Sequence, residues 1–76
     1  MTMTERLQRL TALRQERAAK WDTARTFLDS KTHNGRMSEA DAAKYEAMEK
    51  ELTDLGSDIA RLERANEMEA AMNAAG

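Results

Sequence analysis

Tyr45-Glu46-Ala47-Met48-Glu49-Lys50-Glu51-Leu52-Thr53-Asp54-Leu55-Gly56-Ser57-Asp58-Ile59-Ala60-Arg61-Leu62 carries its large apolar and aromatic side chains at Tyr45, Met48, Leu52, Leu55, Ile59 and Leu62. The steps alternate between three and four residues, so all six side chains fall on one stripe of an α-helix, spaced as in a coiled-coil seam. A strand would alternate every second residue, and this stretch does not. Asn66 occupies the next seam position. A polar residue there either fixes register and oligomer state or marks where the seam ends in water. Ala65, Met68 and Met72 continue as a smaller apolar line on a different face.

Upstream of the seam, Met37-Ser38-Glu39-Ala40-Asp41-Ala42 reads as a helix start, with Ser38 as N-cap and Asp41 completing an imperfect capping box. Before that comes Ser30-Lys31-Thr32-His33-Asn34-Gly35-Arg36, the one turn-rich stretch, in which Asn34-Gly35 supplies the two residue types that most readily take positive φ. The preceding segment is helical in pattern from a cap at Thr4 onward. Met3, Leu7, Leu10, Trp21, Ala24 and Leu28 lie on one stripe, Arg14 and Arg17 interrupt it, and Leu13 and Phe27 lie to one side. The expected fold is therefore all-α: a helical hairpin, coiled-coil-like, of two long antiparallel helices at about residues 4–30 and 38–72. The turn falls near 31–37 and a frayed, alanine-rich tail near 70–76, all within one domain spanning 1–76.

Folding back at Asn34 brings Leu7 near Leu62, Leu10 near Ile59, Leu13 near Leu55, Trp21 near Met48 and Ala24 near Tyr45. With Leu28 and Leu52 these form the expected hairpin seam. The same fold-back sets Arg14 and Arg17 beside Glu51 and Asp54, where their stems cover apolar surface and their guanidinium groups reach carboxylates. Residues 1–36 hold 8 Lys/Arg against 4 Asp/Glu, and residues 37–76 hold 4 against 10, so the two helices are electrostatic complements.

Composition agrees. The chain has 76 residues, 31 of them hydrophobic, but 14 of those are alanine; there is no proline, valine or cysteine and one isoleucine. That set favours helix over sheet. A core this small seldom supplies more than about 3 to 5 kcal/mol, and without cysteine the available staple is self-association. Leu13, Phe27, Ala65, Met68 and Met72 are the expected contacts of a homo-oligomeric bundle. The start of the chain lacks a signal-peptide pattern and no apolar run is long enough for a membrane helix, so a cytoplasmic protein without a membrane partner is expected.

Little here suggests chemistry. His33 sits alone in the turn with no cysteine or second histidine to complete a metal set, and the carboxylates of the second helix read as a solvated face with supporting pairs such as Glu46-Lys50. No phosphate loop, nucleophile elbow or serine–histidine pair is present, so no catalytic, cofactor-binding or metal-binding residues are expected. The basic first helix, with Arg6, Arg9, Arg14, Arg17, Lys20 and Arg25, suits phosphate contacts, but acidic residues lie alongside it and no aromatic interleaving offers a stacking platform. Nucleic acid is an unfavoured partner on that balance. The rival readings are an antiparallel coiled-coil arm binding nucleic acid, of the kind carried by seryl-tRNA synthetase, and an intracellular helical adaptor.

Four phrases occur in order: Leu10-x-x-Leu13-Arg14-x-x-Arg17-Ala18; Ala24-x-x-Phe27-Leu28-Asp29; Gly35-Arg36-Met37-Ser38-Glu39-Ala40-Asp41 with Tyr45; and Met48-Glu49-x-Glu51-Leu52-x-x-Leu55-x-x-x-Ile59-x-Arg61-Leu62-Glu63-Arg64. Together they resemble the N-terminal delta domain of tailed-phage major capsid proteins of the Hong Kong 97 type, over nearly the whole chain. The resemblance implies a scaffold-like assembly module that promotes subunit association inside the immature phage capsid. Its implied partners are copies of itself, neighbouring capsid subunits and the maturation protease that removes it. No shell-forming domain follows in this sequence, so the resemblance implies a delta domain apart from its shell domain or a free-standing scaffold relative.

Overall fold

The computed structural model describes residues 1–75. It contains two helices, α1 (Met3–Lys31) and α2 (Glu39–Ala75), packed against each other as a hairpin, and no strand among the described residues. α2, at 37 residues, should be about 55 Å long at 1.5 Å per residue, and the molecule is a rod of 58 × 17 × 16 Å. Gly76, the last residue of the expected frayed tail, lies outside the described residues. α2 runs through the alanine-rich end to Ala75, three residues past the expected boundary, because alanine is the strongest helix former.

α1 starts earlier than the expected cap at Thr4. Thr2 is the N-cap: its hydroxyl accepts from the Glu5 N–H at 3.1 Å, and the Glu5 carboxylate accepts from the Thr2 N–H at 3.3 Å. This reciprocal box satisfies two amide groups that a cap at Thr4 would leave without intrahelical partners. The Thr2 backbone N–H, then its hydroxyl, hold the Glu5 carboxyl below its ordinary pKa. Ser38 caps α2 as expected, its hydroxyl accepting from the Asp41 N–H at 3.1 Å.

The turn between the helices is of a kind usual in β-hairpins. Asn34 and Gly35 have φ of 56° and 74°, and His33 and Arg36 exchange both backbone hydrogen bonds, at 2.7 and 3.0 Å. Two consecutive left-handed residues inside such a bonded pair reverse the chain within four residues. Gly35 is required by its dihedral and not by crowding, since a Cβ there would meet nothing within 4 Å.

The core is short. Leu10, Leu13, Leu55 and Ile59 form one buried cluster with Leu62 packed against it, and Ala24 is buried nearer the turn. The cross-helix ion pairs differ from the expected ones. Arg14 pairs with Glu63 at 3.3 Å, not with Glu51; Glu51 instead receives Lys20 at 2.9 Å, and Asp54 bonds Lys50 on its own helix. The apolar contacts keep the expected partners, Leu10, Leu13, Leu55 and Ile59 gathering in one cluster with Leu62 against it.

Candidate self-association surface

Of the residues expected to form the seam, Leu28, Tyr45, Met48 and Leu52 are half-buried, whereas Leu7 and Trp21 lie on the outside, 53% and 46% exposed. The cause is angular. Helical positions advance about 100° per residue, so an apolar stripe on a straight helix drifts around the axis. The buried line of α1 runs through Leu10, Leu13 and Ala24; Leu7, Arg14, Ala18 and Trp21 fall together on one flank of it. Leu13, expected both in the seam and in contacts between copies, is 8% exposed and packed within the hairpin cluster.

That flank continues onto α2. The Arg14–Glu63 ion pair crosses it, and Arg14, Arg17, Ala18, Trp21 and Leu52 enclose a shallow recess of about 320 Å³. Arg17 explains the recess. It takes a position in the middle of the facing stripe where an apolar side chain would close the gap, and its charge stays in water. One turn beyond Leu52 stands Gly56, where an added Cβ would meet nothing within 4 Å. Gly56 is not among the residues expected at the seam or between copies. An isolated glycine amid strong helix formers was its visible signal.

The opposite flank is charged. Lys20 donates to Glu51 there, and the hydrogen bond to Glu51, then its charge, raise the lysine above its ordinary pKa. At the open end of the hairpin Arg6 reaches three partners. Its Nε donates to the Asn66 Oδ1 at 2.6 Å, a terminal nitrogen donates to the Met1 carbonyl at 2.9 Å, and the other pairs with Glu69. Asn66 is therefore more than a solvated end of the seam: it anchors Arg6 across the helix pair, with its own Nδ2 buried and unpartnered among the described residues. Of the other expected self-association residues, Phe27 and Ala65 are half-buried, while Met68 and Met72 are 59% and 62% exposed.

His33 is exposed in the turn, and among the described residues no group of three or more His, Cys, Asp or Glu side chains is placed to hold a metal ion. No helix among them is long and apolar enough to cross a membrane. Comparison of the chain with protein families, with curated proteins and with solved structures found no match.

Proposed function

We propose that the chain is a non-catalytic assembly module that works by joining copies of itself, in the manner of the delta domain of a tailed-phage major capsid protein. The observation that carries this is the thinness of the fold. A compact domain of this length would have a radius of gyration of about 11 Å, whereas the hairpin has 17.2 Å and leaves Leu7, Trp21, Met68 and Met72 on its surface. Two helices cover only one stripe of each other, and the remaining apolar side chains need another surface. The charge arrangement supports the same reading over nucleic-acid binding: Arg6, Arg14 and Lys20 of the basic α1 are bound to Glu69, Glu63 and Glu51 of α2.

Sedimentation velocity over a hundredfold concentration range, with helicity followed on the same samples, tests the reading. A helical oligomer that dissociates on dilution is expected. A stably folded monomer at every concentration would refute it. The capsid role is tested by joining the chain to the N-terminus of a shell-forming capsid domain and counting closed shells in electron micrographs. Equal yields with the native hairpin and with an Ile59→Ala, Leu55→Ala double variant would remove that role.

A further inference from the structure

We infer that the flank carrying Leu7, Trp21, Leu52 and Gly56 is the surface on which a second copy of this chain docks, with one hairpin crossing the other close over Gly56. This rests on the reading of the chain as a self-associating module and specifies where the copies meet.

Gly56 is the first observation. In the middle of a helix glycine is less favourable than alanine by about 1 kcal/mol. Nothing inside the hairpin requires it: the residue lies within regular α2 and a Cβ would meet open space. A glycine without an internal role, on a flank that also exposes a leucine and the single tryptophan, suits the close approach of an external backbone, because the distance between helix axes is set by the side chains at the crossing.

Area identifies the occupant. A compact monomer of 8.6 kDa is expected to expose about 4,700 Å², and the hairpin exposes 5656 Å². The excess is close to the roughly 800 Å² that each partner contributes to a standard stable interface. Charge points the same way. Arg17 borders the recess without an ion-pair partner among the described residues, and Glu49 and Glu67, elsewhere along α2, are exposed and likewise without one. Of the two-fold pairings of identical flanks, the one with its axis along the rods sets α1 of one copy over α2 of the other, so the basic helix meets the acidic one at both halves of the interface. Among the described residues the methionine line of Met68 and Met72 holds no glycine.

Trp21, the only tryptophan, reports directly on this surface. In the 76-residue chain its fluorescence emission should shift to shorter wavelength over the same concentrations at which the sedimenting mass doubles from 8.6 kDa. Gly56→Leu, whose Cβ meets nothing within 4 Å in the single hairpin and which favours helix, should weaken association at least tenfold while leaving the diluted chain as helical as before. Gly56→Ala should weaken it less, and Met68→Gln with Met72→Gln should leave it unchanged. Association with unchanged Trp21 emission, insensitive to Gly56→Leu but lost in the methionine variant, would place the contact on the other flank and overturn this inference while self-association stands. A monomer at every concentration overturns both.

Discussion

Leucine 7 and leucine 10 lie three residues apart in the same helix, and the structure predicts opposite fates for them on truncation. Leu10 is 2% exposed within the cluster of Leu13, Leu55 and Ile59, whereas Leu7 is 53% exposed. Leu10→Ala removes buried methyl groups and leaves a cavity, a change that costs about 2 to 5 kcal/mol. The core is short and edged by water, which favours the lower half of that range. A chain of this size holds about 4 to 11 kcal/mol by the usual per-residue stability, so the variant forfeits a large share of the total. A loss of about 3 kcal/mol shifts the folding equilibrium by roughly 150-fold. Leu7→Ala forfeits almost no burial and gains slightly in helix propensity, so its change should stay within about 0.5 kcal/mol. Urea denaturation followed by circular dichroism, on chains diluted below their association range, measures both. Equal losses for the two variants would refute the burial assignment and return Leu7 to the seam. At concentrations where copies associate, Leu7→Ala should begin to cost stability while the penalty of Leu10→Ala stays as large.

Three further outcomes follow from the caps, the turn and the charged flank. The Glu5 carboxyl is held low by Thr2, so its contribution is complete above the ordinary glutamate pKa and is lost as pH falls through the lower folded value; the first turn of α1 should lose amide protection over that acid range, and Thr2→Ala, which removes the hydroxyl but keeps the backbone N–H, should weaken the pH dependence without abolishing it and cost about 1 kcal/mol of stability. Gly35→Ala meets no neighbour yet must hold φ near 74°, so it should destabilise by about 1 to 2 kcal/mol, and an unchanged urea midpoint would contradict the left-handed turn. Lys20 is raised by Glu51, so the pair contributes fully below the ordinary lysine pKa and fades as pH rises through the raised one; Lys20→Met should lower thermal melts at low salt near neutrality by the pair's small contribution and remove the alkaline dependence, parent and variant converging at high pH.

Local signals carried the fold. The three- and four-residue steps from Tyr45 to Leu62, the Ser38 cap and the Asn34-Gly35 pair each act within a few residues, so each is visible in sequence, and the hairpin follows from their order. The pairing register depends on contacts between residues far apart in the chain. Nothing near Arg14 announces that it meets Glu63 instead of Glu51, because both carboxylates belong to α2, far from Arg14 in the chain, and a long guanidinium side chain can reach along the partner helix. The outward placement of Leu7 and Trp21 was hidden for a related reason: in α1 the apolar stripe is broken at Arg14 and Arg17, so its drift around the helix could not be followed from leucine to tryptophan. Gly56 was legible as an anomaly, and only the open space around it shows that the hairpin itself does not use it.

The buried cluster lies in the half of the rod away from the turn, and this sets an order of events in time. Leu13 and Ile59 are 46 residues apart in sequence, and gathering a flexible chain across such a span costs about 3 kcal/mol in loop entropy before any leucine is buried. The Asn34-Gly35 reversal, bonded between His33 and Arg36, shortens that search by aiming two growing helices at each other. Speed and persistence are therefore governed by different residues: changes at Asn34 and Gly35 should slow the folding limb of a denaturant chevron, and changes at Leu10 and Ile59 should steepen escape along the unfolding limb.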